Sequence, residues 1–251
     1  TRLQLRRLAP LLSRVAPERI RTELSYLLSH AAGSQWLKTL WQDGLLQSSF
    51  SAATAQGLDR IAEMDRVEIG ITACWPQLES LLHRTLSDRP KSGEGVRRTF
   101  FATAKLVGLV DSDPTVAKQT LQEMKYSKAE VNLVGTILQG LAQLKADLRQ
   151  GALSRRQQYL LFRMVREAFP ALAVVAIASG FSLTSLTPLV EEFLNAQSAI
   201  AHPKPLVSGQ DLMRSLQIAP GPIIGQLLSA LELAHAEGCI STPGTALEFA
   251  Q

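Results

Sequence analysis

The chain has 251 residues, 46% of them hydrophobic and 19% charged, with 26 basic against 22 acidic side chains. That size and apolar content exclude intrinsic disorder and suffice for one large core or two modest ones. No apolar run approaches the roughly 18 residues of a membrane-spanning helix, and Cys74 and Cys239 lie too far apart for a disulfide framework or a zinc spacing.

Aromatics are few and Leu, Ala and Gln abound, which favours helix over strand. Leu3, Leu5, Leu8, Leu11, Leu12 and Val15 predict an apolar stripe on a basic N-terminal helix, with a kink at Pro10. A second helix is predicted from Pro17, with Glu18 in its first turn and Leu24, Leu27 and Leu28 at helical spacing. Residues 34–43 read as a short helix burying Trp36, Leu37, Leu40 and Trp41 and stopped by Gly44. Residues 52–64 form the next predicted helix, followed by a separate stretch from Val67 that breaks near Pro76.

The segment DRPKSGEG over 88–95 is a polar loop, and residues 97–110 are apolar enough to be interior. Asp113 with Pro114 caps and starts a helix, Ser127 with Glu130 forms a capping box, and Ser154 opens a helix carrying Arg155, Arg156, Arg163 and Arg166. ALAVVAIASG over 171–180 reads as a buried core helix. A linker with two prolines over 201–209 precedes helices over 210–216, from Pro222 to Glu237, and from Pro243. The fold expected is all-α, an elongated multi-helix array divided into residues 1–65, 66–200 and 201–251. Both thiols are expected to be buried in a reducing compartment. Arg2, Arg6 and Arg7 interrupt any signal peptide, so the expectation is a cytoplasmic protein. The start at Thr1, inside a helical pattern, predicts a fragment of a longer chain.

Charge is unevenly spread. Residues 1–21 hold six Arg and one Glu, residues 84–128 nine basic and five acidic side chains, and residues 145–166 six basic and one acidic; residues 201–251 are net acidic. Such stripes suit a polyanion, and they also suit ordinary solvated helix faces. Catalytic patterns are missing: there is no P-loop, GxGxxG, GxSxG or HExxH. His30, His83, His202 and His235 are scattered, and Asp111 with Asp113 reads as helix punctuation. No catalytic residue and no metal ligand is assigned.

Three segments carry a resemblance. VAPERIRTELSYLL over 15–28 resembles the ERxxxE neck segment of the bacterial-type (class II) tRNA nucleotidyltransferase and poly(A) polymerase family. LQEMKYSKAEV over 121–131 is similar to that family's body segment, and GQDLMRSLQIAPGPIIGQLLSALELAHAEGCIST over 209–242 to its tail. Their order and spacing match over essentially the whole chain. The family's catalytic head, with its glycine-serine turn, DxD metal pair and arginine-rich motif, has no counterpart here, nor has the nucleotide-selecting EDxxR. The nearest approach to the HD motif that many relatives carry, AKLVGLVDSD over 104–113, has Val110 where the metal-binding His would stand.

The resemblance implies neck, body and tail without a head, gripping the acceptor stem and T-arm of tRNA for 3′-end CCA or related nucleotide addition. On its own this part is expected to be inactive. It implies no cofactor in this chain, with Mg and ATP or CTP serving the full-length parent. Glu18, Arg19 and Glu23 carry over to the neck motif, Arg19 and Glu23 being placed to pair on one face. Pro220, Gly221, Pro222 and Gly225 carry over as structural tail residues, the glycines allowing close backbone approach. RNA contacts are expected from Arg97, Arg98, Lys125, Lys128, Arg155, Arg156 and Arg163, the last three on a solvent face whose charge reversal leaves the fold intact, with Glu167 a possible partner for Arg163. The other readings open at this point are an α-helical scaffold with no RNA role and a degenerate HD-type phosphohydrolase.

Overall fold

The computed structural model describes residues 2–30, 33–86 and 98–251, which fall into two units: Thr1–Gln143 with Glu167–Leu183, and Leu144–Arg166 with Thr184–Gln251. In the first unit, helix α1 (Arg2–Leu8) continues into a 3₁₀ turn, Ala9–Arg14, where Pro10 cannot donate to the α-helical ladder. The expected apolar stripe is not buried: Leu3, Leu5, Leu8 and Leu11 are all exposed. What holds α1 is polar. Arg2 Nε and Arg6 Nε each donate to one oxygen of the buried Asp43 carboxylate, both at 2.7 Å.

Helix α2 (Pro17–Ser29) starts with Pro17 and Glu18 in its first turn, as predicted, and buries Leu24, Ser25 and Leu28. Helix α3 (Gly33–Gln42) buries Leu37 but leaves Trp36 59% exposed, and Gly44, at φ +79°, ends the segment. Trp41 is half-buried because its indole N–H donates to Ala53 O at 3.0 Å. Helix α4 (Ala55–Cys74) corrects the two predicted stretches over 52–64 and from 67. It runs unbroken through both, started by Thr54, whose hydroxyl accepts the Gly57 N–H.

Helix α5 (Gln77–Leu82) follows Pro76, and α6 (Phe100–Ala104), capped by Thr99, passes into a 3₁₀ turn over Lys105–Gly108. The predicted loop over 88–95 lies outside the described residues. Either side of it, Thr85 and Thr99 form a lone antiparallel bridge, and no sheet forms among the described residues. Helix α7 (Pro114–Glu123) is capped by Asp113, whose carboxylate accepts from the Thr115 and Val116 N–H groups at 2.7 and 3.3 Å. Those bonds hold the Asp113 carboxyl below its ordinary pKa. Helix α8 (Lys128–Leu148) opens with the predicted capping box, Ser127 N–H donating to Glu130 Oε2 at 2.7 Å and Glu130 N–H to Ser127 Oγ at 3.3 Å.

Two helices follow, α9 (Arg155–Val165) in the second unit and α10 (Phe169–Ala178) in the first. Residues 169–176 of α10 are buried on every side, so it is the central helix of its unit, packed mainly on α4. The backbones of α4 and the Lys105–Gly108 turn touch: a Cβ on Gly57 would stand 2.1 Å from Gly108 O, and one on Gly108 2.5 Å from Gly57 O.

The second unit adds α11 (Leu183–Leu194), α12 (Gly209–Leu216), α13 (Pro222–Glu237) and α14 (Pro243–Phe249). Capping boxes at Ser154–Gln157, Ser208–Asp211 and Thr242–Thr245 fix three starts, and Gly238 at φ +84° ends α13. Val207, Leu212, Leu231, Ala234, Ile240 and Ala246 form the core that joins α12, α13 and α14. Phe193 stacks on Phe162 at 6.1 Å, and its carbonyl meets His202 Nε2 at 2.6 Å. Cys74 and Cys239 are both exposed, which corrects the expectation of buried thiols: Cys74 is the last residue of α4, and Cys239 follows the Gly238 cap that ends α13.

Candidate nucleic-acid interface

Glu18, Arg19 and Glu23 all project from the exposed side of α2. Arg19 and Glu23 share a face, as the spacing requires, yet form no ion pair among the described residues. The residue that α2 commits is Arg21, whose guanidinium donates to the Lys125 carbonyl. That carbonyl belongs to a tight turn between α7 and α8 in which Lys125 holds φ +60°, a conformation a non-glycine residue keeps only when its surroundings enforce it.

The same turn gathers three of the predicted residues. Lys125 and Lys128 are exposed and form no ion pair among the described residues. Arg98 is directed inward: its guanidinium donates to Glu130 Oε2 at 3.4 Å, the oxygen that also caps Ser127, and Glu130 is buried. Tyr126 is buried beside them, and burial first, then the Glu130 charge, pushes its hydroxyl pKa up. Arg98 therefore spends its charge on the protein, and Lys125 and Lys128 present theirs to solvent. Arg97 lies outside the described residues.

In the second unit, α9 turns its arginines toward α13. Arg155 Nε donates to Ala236 O at 2.8 Å, and Arg163 donates to Tyr159 Oη and to Ser229 Oγ, both at 3.2 Å. Tyr159 Oη donates in turn to Glu232 Oε2 at 3.1 Å, and burial, then Glu232, raises its pKa. Arg156 stands 3.5 Å from Glu237 and remains 60% exposed. Residues 155, 159 and 163 recur every four positions and so share one helix face, which here is the face against α13. Arg155, Arg156 and Arg163 are all exposed, as expected of a solvent face, but each also reaches a partner on α13, which the sequence reading did not include. Glu167, the residue four beyond Arg163, pairs with Arg84 at 2.6 Å instead.

In the tail, Pro222 occupies the first turn of α13 as expected. Among the described residues the glycines do not make the close approach expected of them. A Cβ on Gly225 would meet nothing within 4 Å, and one on Gly221 only Ala219 O at 4.0 Å.

A cleft of about 480 Å³ in the first unit is bounded by Ser29, Asp65, Glu68, His83, Phe101 and Lys105. Lys105 is buried, its ammonium 2.6 Å from Asp65 Oδ1, 2.9 Å from Leu28 O and 4.6 Å over the Phe101 ring. His83 Nε2 lies 3.0 Å from Glu68. Among the described residues no three His, Cys, Asp or Glu side chains converge to hold a metal ion.

Residues 1–56 match the family described as the probable RNA and SrmB-binding site of polymerase A, and residues 101–250 match tRNA nucleotidyltransferase domain 2. The chain belongs to the tRNA nucleotidyltransferase family. It is 38% identical over 253 residues to the CC-adding tRNA nucleotidyltransferase of Synechocystis sp., a match covering all of this chain and 58% of that protein. It is 28% identical over 263 residues to the A-adding tRNA nucleotidyltransferase of Deinococcus radiodurans, covering 93% of this chain and again 58% of the relative. The chain thus spans less than two thirds of the length of either. The segments that carried the resemblance form α2, the α7–α8 turn, and α12 with α13.

Proposed function

We propose that this chain is the RNA-gripping part of a tRNA nucleotidyltransferase, with residues 1–65 as neck, 66–200 as body and 201–251 as tail. It holds the acceptor stem and T-arm of tRNA and presents the 3′ end to a nucleotidyltransferase head of the parent protein, for CC addition or a related 3′ nucleotide addition. The observation that carries this reading is the coincidence of an RNA-binding region over 1–56 with tRNA nucleotidyltransferase domain 2 over 101–250 in one chain. The exposed cations Lys125 and Lys128 support it, because A-form RNA is gripped through phosphate and sugar positions rather than base edges. The outward Glu18, Arg19 and Glu23, free of ion pairs among the described residues, suit a motif that braces a neighbouring segment.

Mg and ATP or CTP belong to the head in this reading. Among the described residues no three His, Cys, Asp or Glu side chains come together. No helix among them is long and apolar enough to cross a membrane.

The test is titration of tRNA into the isolated chain at several salt concentrations, alongside incorporation of labelled CMP or AMP into tRNA lacking its 3′ end. The expected outcome is salt-dependent binding without incorporation. Failure to bind tRNA at low salt favours a scaffold without an RNA role, and measurable incorporation refutes the division between gripping part and head.

A further inference from the structure

The N-terminal arginines are absent from the RNA-contact set read from sequence, and the structure gives two of them an unusual setting. Arg2 and Arg6 lie one turn apart on α1 and converge on one buried carboxylate, Asp43 at the end of α3. Each contributes only its Nε, at 2.7 Å, and their side chains remain 56% and 50% exposed against 4% for Asp43. A guanidinium carries five N–H donors in a planar fork. With Nε committed, four donors on each arginine are left, and neither arginine makes another hydrogen bond or ion pair among the described residues. The Arg2 bond first, with Arg6 adding to it, holds the Asp43 pKa below its ordinary value, so the carboxylate stays ionised and the forks stay fixed near neutral pH.

One carboxylate offsets one of the two charges, and Arg7 and Arg14 on the same segment are exposed as well. The result is a net-positive pair of guanidiniums already held in place, so that contact with an anion costs little further side-chain freedom. Arginine forks match phosphate oxygens bidentately, and the pair lies inside the region matched as RNA-binding.

We infer that Arg2 and Arg6 form a phosphate clamp for the RNA backbone, with Asp43 as the residue that positions both. The inference rests on the RNA-gripping reading proposed above and adds a site to it. Asp43 acts through the arginines and touches no RNA.

The test uses the full chain and tRNA, with affinity measured as a function of salt. R2Q/R6Q should lower the log–log salt slope by about 1.4 to 1.8, that is about 0.7 to 0.9 for each lost phosphate contact. The deficit relative to wild type therefore shrinks about tenfold between roughly 50 and 200 mM salt. D43N separates positioning from charge. It removes a negative charge, so simple electrostatics predicts tighter binding, whereas loss of the held geometry predicts weaker binding with the slope retained. R2K/R6K keeps both charges but offers one ammonium where a fork served two partners, and should bind more weakly than wild type while retaining the slope. An unchanged slope in R2Q/R6Q overturns the clamp, and D43N binding as tightly as wild type or tighter overturns the positioning role. If wild type itself does not bind tRNA, the broader reading fails. If wild type binds and R2Q/R6Q matches it, the clamp alone fails.

Discussion

The contact between Gly57 and Gly108 gives the sharpest structural test, because helix propensity and packing predict opposite signs. Replacing Gly57 by Ala improves helix propensity by at most about 1 kcal/mol. The added Cβ, however, would stand 2.1 Å from Gly108 O and 3.1 Å from its carbonyl carbon. Ordinary contact needs well over 3 Å, so α4 and the Lys105–Gly108 turn would have to separate by more than an ångström. The approach is equally tight from the other side, since a Cβ on Gly108 would lie 2.5 Å from Gly57 O and from Ile61 Cγ1. Overpacking of this kind costs about 1–3 kcal/mol and here falls on backbone, which cannot rotate aside. The clash wins, and G57A should be destabilised by about 2 kcal/mol. A Cβ on Gly70, in the same helix, would meet nothing within 4 Å, so G70A should stabilise by about 0.5–1 kcal/mol. The two variants should melt about 5–12 °C apart by far-UV circular dichroism, at about 2–4 °C per kcal/mol for a protein of this size. Equal melting of G57A and G70A refutes the close approach.

Three other outcomes follow from the same structure. Because its backbone bonds depress the pKa of Asp113 below 3.8, its contribution to stability is complete above that value and is lost as pH falls through the lower folded value. The gap in urea midpoint between wild type and D113N should therefore hold steady from neutrality to about pH 5 and narrow as the pH falls below the ordinary carboxylate value; a gap that does not change with acid refutes the charged cap as its source. R155E/R156E/R163E should destabilise the second unit by at least about 2 kcal/mol, since it breaks charge-assisted bonds to α13, whereas K125E/K128E should melt like wild type and lower the tRNA salt slope by about 1.4 to 1.8; the reverse pattern would show the wrong residues assigned to RNA. Both thiols are exposed, so a thiol reagent should titrate two cysteines in the native protein, and fewer than two would contradict the placement of Cys74 or Cys239.

The resemblance read from three segments identified the family and the all-α fold, and with them the expectation of RNA as partner. It did so because motif residues and helical period are carried by the chain itself. The settings of the residues proposed to meet RNA were legible only in part. The exposure of Lys125 and Lys128 agrees with their reading as available cations. Arg98, Arg155 and Arg163 looked the same in sequence, but their partners Glu130, Ala236 and Ser229 are 32, 81 and 66 residues distant, beyond any local pattern. The pairing of Arg2 and Arg6 left a trace, an Arg at i and i+4, but nothing in that spacing points to Asp43.

What the sequence determined by itself was a group of helix starts and stops that act locally. Pro17, Gly44, Asp113 with Pro114, Ser127 with Glu130, Ser154, Pro222 and Pro243 each act through backbone geometry or a hydrogen bond spanning three or four residues, so no distant part of the chain is needed to set them. Which face of each helix is covered was decided by the tertiary structure. Trp36 and the leucines of α1 are apolar and exposed, while Lys105 and Glu130 are charged and buried. The continuity of α4 past residue 65 belongs to the same class: its polar residues interrupt the apolar pattern, yet packing on α10 keeps the helix whole. Apolar period measures the average tendency to be covered, whereas actual cover depends on which neighbour arrives and on whether a buried charge finds a counter-charge, as Lys105 finds Asp65 and the Leu28 carbonyl.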